Sequence, residues 1–489
     1  MHGCFFIYAN LCDSGTMWIG LVVIFLCFIY AWFIEPAWLS INSERVEVAP
    51  EKLSEPVRFL FLSDLHASPL TSAWARGREW QTLLRRHQSK PFDAVLLGGD
   101  YIDRNPKYAT QIEELLVRLS AWGIPMYAVI GNHDYQSYGG DVSELCQKFQ
   151  ALGVTVLLNQ SVVLEAKGQE IMVVGLDDLM RSEHYQVGKK RASLRAYKER
   201  AKKLDWYEQF DQEYPELPRI LLSHNPDAVY LPGKRPELVV SGHTHGGQYL
   251  FLKKPPKWFP ILPPGSFQTW AGRRLVEGRN LIVGRGYGGA LFPARLLCRP
   301  QALDITLRPA SYPKNVVIGL SGKPRSGKDT VAEMIEAILP GITRSDFSHI
   351  MREEFDAKFG TRIRHDEAEK DRNRAKLTEF VNEKRAIDQD YWIKKVFSQT
   401  PPLLVTPIRF EREIEATKAA GGVVVLVKAP THRLHERTVH DMAAQLKMHN
   451  EVLLDHFHNW DYIVENDGSL LDLETKVRNV VAEILKRTN

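Results

Sequence analysis

The chain has 489 residues, of which 25% are charged and 44% hydrophobic, and a formal net charge of +4. That length suits about three folded units, and the composition excludes wholesale disorder, a collagen-like repeat and a multi-pass membrane architecture. So mild a charge gives no ground for a nucleic-acid partner. The five scattered cysteines, without a C-x-x-C spacing, indicate neither a disulfide framework nor a thiolate zinc site and fit a reducing compartment.

Residues 1–16 match no element, and Met17 competes with Met1 as the start. From Met17 to Ile34 the chain reads MWIGLVVIFLCFIYAWFI without a charge, close to the ~20 apolar residues of a membrane span, and Trp38 follows as an interfacial residue. No Lys or Arg precedes the run, as a cleaved signal would require, so 17–38 is read as a retained single-pass anchor. Arg45, Lys52 and Arg58 lie on its C-terminal side, which predicts a body facing the cytoplasm. Residues 39–55 read as a linker.

From 56 to 309, short apolar runs each end in a polar cluster. Arg58–Ser63 leads into Asp64-Leu65-His66, Ala94–Leu97 into Gly98-Gly99-Asp100, and Met126–Ile130 into Gly131-Asn132-His133-Asp134. Arg219–Ser223 leads into His224, and Leu238–Val240 into Ser241-Gly242-His243-Thr244-His245. These runs have the length and aliphatic content of buried strands. Polar residues at the carboxyl ends of such strands face one crevice. Asp64, His66, Asp100, Asn132, His224, His243 and His245 are all oxygen or imidazole donors. Two divalent cations ~3.5–4 Å apart need such a set with one bridging carboxylate. Its softness suits Mn most, with Fe or Zn as alternatives.

The ordered series Asp64-x-His66, Gly99-Asp100, Gly131-Asn132-His133-Asp134, His224 and Gly242-His243-x-His245 resembles the calcineurin-like metallophosphoesterases, over about half the chain. The resemblance implies an α/β fold in which a two-sheet β-sandwich is flanked by helices. It implies that Asp64, His66 and His245 hold one metal and Asn132, His224 and His243 the other, with Asp100 between them. His133 is implied to stabilise the phosphoryl oxygens or protonate the leaving group, with Asp134 holding it. Ser223-His-Asn-Pro-Asp227, Gly246-Gly247-Gln248 and Gly284-Arg-Gly-Tyr-Gly288 are similar to a membrane-linked bacterial branch that includes UDP-2,3-diacylglucosamine pyrophosphohydrolases of lipid A synthesis. A lipid-linked or small phosphorylated substrate and membrane lipids are the partners this implies; no protein partner is predicted. The aromatic and lysine-bearing stretch Lys253–Pro264 reads either as a headgroup-contacting loop or as a rigid connector. The basic insert 185–203 reads as a solvated helix face or as a lid over the site.

A proline-bearing link at 310–314 precedes a second unit, 315–489. Asn315–Ser321 reads as a strand and is followed by Gly322-Lys-Pro-Arg325-Ser326-Gly327-Lys328-Asp329-Thr330 and a helix through Leu339. Such a glycine-rich loop turns its N–H groups onto a phosphate, Lys328 reaches the terminal phosphates and the helix start adds its dipole. The Ser-Gly-Lys-Asp-Thr version resembles phage-type deoxynucleoside monophosphate kinases and phosphomevalonate kinases. That likeness implies a C-terminal P-loop α/β domain with a parallel sheet, binding ATP with Mg. It implies that Arg325 touches ATP phosphates, that Arg352, Arg385 and Arg409 meet the acceptor or the transition state, and that Arg433 and Arg437 sit in a closing lid. Two residues depart from that pattern, Pro407 where an Asp is expected and His349 where Asp is usual. The expectation is therefore a two-enzyme fusion, phosphohydrolase and nucleoside-monophosphate-type kinase. The alternative is a general or nucleotide phosphodiesterase with a nucleotide-sensing C-terminal module.

Overall fold

The computed structural model describes residues 14–68, 78–179, 216–231, 236–248, 271–276, 278–289, 294–364, 366–430, 454 and 456–488. The insert 185–203, the stretch 253–264, Arg433 and Arg437 lie outside the described residues, as does most of the N-terminal tail. Two compact units emerge, Met1–Val46 with Lys52–Arg308 and Glu47–Glu51 with Pro309–Asn489.

The first unit opens with helix α1 (Ser14–Ile29), continued by a π turn over Tyr30–Ile34 and a 3-10 turn over Glu35–Ala37. Among the described residues, Trp18–Ala37 is the one helical segment long and apolar enough to cross a membrane. Its side chains from Trp18 to Phe28, Ile24 and Phe25 among them, face outward rather than into a core, while Glu35 near its end is buried. Strand β1 (Ser40–Val48) follows, so the stretch 39–55 expected to be a linker is instead mostly an edge strand. It reads as polar because its outward positions are Ser, Asn and Glu, while Val46 and Val48 are buried.

The remaining strands are β2 (Val57–Leu62), β3 (Ala94–Leu97), β4 (Met126–Ala128), β5 (Val154–Val156), β6 (Gln160–Ala166), β7 (Gln169–Leu176), β8 (Arg219–Ser223), β9 (Leu238–Ser241), β10 (Gly272–Val276), β11 (Arg279–Val283) and β12 (Gln301–Pro309). They form two six-stranded sheets, β1-β12-β2-β3-β4-β5 and β10-β11-β9-β8-β7-β6. In the first, β2 to β5 run parallel, with Leu60 opposite Val95 and Leu96 opposite Tyr127. In the second, β7, β8, β9 and β11 run parallel.

Alternation along each strand explains the layers. Leu60, Leu62, Val95 and Leu97 share a core with Leu83 of helix α2 (Arg78–Ser89), Ile112 and Leu116 of α3 (Ala109–Ser120) and Phe149 of α5 (Ser143–Ala151). Helix α4 (Asn132–Ser137) precedes α5. Phe61 points the other way, its ring against Gly98 and against Gly284 beyond β11, where the two sheets meet. The far face of the second sheet packs Val174, Leu221 and Val239 on the turn Pro226–Tyr230. Parallel strands buried on both faces put every strand's carboxyl end at the same edge.

The second unit is a parallel sheet ordered β14-β15-β13-β16-β17, from β13 (Val317–Ser321), β14 (Thr343–Ser345), β15 (Leu403–Val405), β16 (Val423–Lys428) and β17 (Tyr462–Glu465). Helix α6 (Lys328–Ile338) begins directly after the loop Gly322–Gly327 that leaves β13. Phe355, Phe380, Trp392 and Val396 build the helical side of its core.

Candidate metal centre

Each donor stands on a loop just past a strand. Asp64 and His66 follow β2, Asp100 follows β3, Asn132 opens α4 after β4, His224 follows β8, and His243 and His245 follow β9. Asp64, His66, Asp100, His243 and His245 all have φ between 43° and 72°. Non-glycine residues seldom adopt that left-handed region, and strain of this kind collects at functional sites. Glycines at two positions permit the crowding. A Cβ on Gly131 would lie 2.2 Å from Asp100 Oδ1, and one on Gly242 would lie 2.3 Å from Asp64 Oδ2.

Two buried triads result, Asp64-His66-His245 and Asp100-His224-His243, the donor atoms of each within 4.8 Å of one another. In the first, His66 Nε2 faces His245 Nε2 at 3.0 Å, and His245 Nε2 is 3.5 Å from Asp64 Oδ1. In the second, His224 Nε2 is 3.0 Å from His243 Nδ1. Asp100 joins them, because its Oδ2 is 3.1 Å from His224 Nε2 and 3.6 Å from His66 Nε2. His224 Nδ1 is fixed by the Gly98 carbonyl at 2.8 Å. The side-chain oxygen of Asn132 is buried without a hydrogen-bond partner, as are Asp64 Oδ2 and His245 Nδ1.

The electrostatics fit a bound cation pair. Burial first, then neighbouring histidines, pushes His66 and His243 down to about 3, and the same causes hold His245 well below its usual range. Burial also lifts Asp64 to about 6, against the pull of His224. His224 goes the other way, to about 10: burial lowers it, but the charge and hydrogen bond of Asp100 outweigh burial. Asp100 sits well below the ordinary carboxylate range, since His224 and His133 overcome its own burial. Three imidazoles held neutral, those of His66, His243 and His245, with Asp64 and Asp100 among them, make a donor set suited to divalent cations.

His133 presents Nδ1 to Asp103 Oδ1 at 3.3 Å, and its backbone N–H donates to Asp100 Oδ1 at 2.8 Å. Burial lowers its pKa, but Asp100 and Asp103 together carry it up to about 8. The expected partner, Asp134, is elsewhere. Its buried carboxylate accepts the N–H groups of Asp100 (2.9 Å), Tyr101 (2.8 Å), Ile102 (3.1 Å) and Gly131 (3.0 Å), stitching two loops together. A carboxylate satisfied by four amides has no lone pair left for an imidazole. Asp103 was the residue missed; the sequence signal is its place three residues after Asp100 in Gly99-Asp-Tyr-Ile-Asp103.

In the second unit, Gly322, Ser326 and Arg409 line a cavity of about 520 Å³ with Lys323, Val427 and Trp460. Arg325 and Gly327 take φ of 64° and 91°, curling the loop back, and Asn466 Nδ2 donates to the Ser326 carbonyl at 2.9 Å. Lys328 begins α6, with Thr330 in its first turn. Asp329 is engaged by Arg344 at 3.1 Å and Lys328 at 3.6 Å. Arg385 lines a separate cavity of about 360 Å³ with Trp392 and Phe410, and Arg352, on the helix Phe347–Phe359, lines neither.

Family comparison adds to this geometry. Residues 57–247 match the family described as Calcineurin-like phosphoesterase, and residues 320–421 match that described as Phosphomevalonate kinase. The chain is 30% identical over 288 residues to Phosphodiesterase YaeI of Escherichia coli, covering 57% of this chain and 92% of that protein. It is also 30% identical to the uncharacterized metallophosphoesterase YkuE of Bacillus subtilis, covering 57% of this chain and 89% of that one. A transmembrane protein with metallophosphoesterase domain from Danio rerio is 27% identical, over 54% of this chain and 57% of that protein.

Proposed function

Since this chain belongs to the calcineurin-like phosphoesterase family, we propose that it is a membrane-anchored phosphohydrolase that cleaves a phosphodiester or diphosphate bond of an amphiphilic substrate at the bilayer surface. Family membership makes it a metal-dependent phosphohydrolase of phosphodiesterase type. The observation that carries the proposal is the pair of buried triads meeting at Asp100 Oδ2. Asp64, His66 and His245 would hold one cation, Asn132, His224 and His243 the other, and Asp100 both. When bound, such cations supply Lewis acidity and a nucleophile derived from water near neutral pH. The chain's own residues do the rest. Asp100 Oδ1 holds the amide of His133, so the imidazole is aimed by the same side chain that joins the triads. Asp103 keeps Nδ1 occupied, leaving Nε2 to donate to the phosphoryl or leaving oxygen.

The anchor and the branch likeness support a lipid-linked diphosphate such as UDP-2,3-diacylglucosamine as substrate, with both catalytic units facing the cytoplasm, where ATP is found. For the second unit the loop Gly322–Gly327 and its cavity support ATP binding, with phosphoryl transfer to a small phosphorylated acceptor near Arg385 and Arg409. A second reading, a nucleotide sensor, draws on Pro407 and on Asp329, whose carboxylate is taken by Arg344 and Lys328 rather than presented to magnesium. Incubating the protein and Mn²⁺ with UDP-2,3-diacylglucosamine, bis(p-nitrophenyl) phosphate and nucleotides side by side tests the first unit. Cleavage of the nucleotides alone would overturn the amphiphile reading. ADP release dependent on a nucleoside monophosphate supports the kinase; tight ATP binding without turnover supports the sensor.

A further inference from the structure

Glu35 is the one charged residue between Trp18 and Ala37, and it is buried. Its carboxylate accepts the backbone N–H of Leu297 at 2.8 Å and that of Cys298. A charge at the end of an apolar helix is thereby satisfied by the chain of the hydrolase body. The N–H of Arg295 donates to the carbonyl of Ala31 at 2.8 Å, one turn earlier. The segment Ala294–Arg299 is therefore bonded along the last turns of the span, at the depth where a crossing helix leaves the bilayer.

What this segment shows to the outside is apolar. Leu297 is 63% exposed and has a φ of 57°, so the backbone bears left-handed strain while an isobutyl group points away from the body. Phe33, Ile34 and Trp38 are exposed on the helix end to which it is bonded. The Arg299 guanidinium lies 3.6 Å from the centre of the Trp38 ring. An indole with a cation on its face suits the headgroup layer, where the ring meets acyl chains and the charge meets phosphate.

We infer that Ala294–Arg299 is a second membrane contact, with Leu297 entering the acyl boundary and Arg299 meeting the phosphates of anionic phospholipid. The inference rests on the anchored-phosphohydrolase reading and gives that site a lipid surface as partner. The same segment is bonded to the loops of the metal centre. Cys298 Sγ is 3.4 Å from the His245 carbonyl, and Leu296 N–H donates to the Gln248 carbonyl at 3.0 Å. The buried Arg295 guanidinium donates to the carbonyls of Gly286 (3.2 Å) and Gly288, and Gly288 N–H donates to the Asp64 carbonyl at 2.7 Å. The loops carrying Asp64 and His245 are thus tied to a segment lying on the bilayer, which holds the crevice at headgroup height.

Photocrosslinking tests this on the full chain. Position 297 receives p-benzoylphenylalanine, the protein is reconstituted in vesicles of phosphatidylglycerol and phosphatidylcholine, and adducts are identified by mass spectrometry. The same substitution at position 38 serves as the reference. Lipid adducts at 297, in a yield within about threefold of that at 38, are expected for two sites at one depth. Adducts at 38 with none at 297, or crosslinks from 297 to protein alone, would overturn the inference. Bis(p-nitrophenyl) phosphate turnover by the same samples reads the hydrolase separately, so lipid adducts without turnover would sink the functional reading and leave the membrane contact standing.

Discussion

Replacing Asp134 by Asn separates a structural carboxylate from a chemical one. Each Asp134 oxygen serves two amides, Oδ1 those of Tyr101 and Ile102 and Oδ2 those of Asp100 and Gly131. An asparagine keeps one oxygen and turns an NH₂ group on the other pair, leaving two buried N–H donors facing a donor. At ~1–3 kcal/mol for each unsatisfied group, the loss is roughly 2–6 kcal/mol. For a domain of this size that lowers Tm by roughly 5–20 °C. Asp103→Asn keeps every backbone bond in place and should leave Tm within ~2 °C, while kcat falls about ten- to a hundredfold because His133 loses its orienting partner. Differential scanning calorimetry together with bis(p-nitrophenyl) phosphate kinetics reads both quantities. The reasoning is refuted if Asp134→Asn melts like wild type and loses only turnover, or if Asp103→Asn is the variant that unfolds.

Other outcomes follow from neighbouring contacts. His133 is carried up to about 8 by Asp100 and Asp103, so a proton it donates is lost as pH rises through that range; in Asp103→Asn the alkaline limb of kcat/KM should move to lower pH, and an unmoved limb would contradict the pairing. Gly286 has a φ of 70°, and a Cβ there would lie 2.7 Å from Asp64 Cβ; Gly286→Ala should lose bound metal with little change in circular dichroism. Lys328→Ala should abolish ATP binding measured by calorimetry and leave aryl phosphate hydrolysis unchanged; hydrolysis falling in parallel would argue against separate sites.

The strand-end clusters were legible because local rules determine them. An apolar run of fixed length is buried, and its first polar residues emerge at the carboxyl edge, which is how Asp64, Asp100, His224 and His243 come to stand in the two neighbouring triads. The partner of His133 was not legible. Asp134 is adjacent to it in sequence, but the opening turn of α4 points that carboxylate back at the loop amides, and Asp103 reaches the imidazole from another strand end. Edge strand β1 was hidden by its polar outward face. The bond between Glu35 and Leu297 spans 262 residues, and no pattern of spacing or composition encodes a pairing of that range. The left-handed backbone at five donors is only weakly signalled by Asp and His, which are enriched in that region but far more often adopt other conformations.

The central claim is that seven side chains share two cations through Asp100. Inductively coupled plasma mass spectrometry of protein purified without chelator, beside Asp100→Asn prepared in parallel, tests it most directly. The account predicts about two equivalents of transition metal per wild-type chain and a loss of at least one in the variant with its circular dichroism unchanged. Metal-free wild type after manganese loading, or full retention in Asp100→Asn, would contradict it.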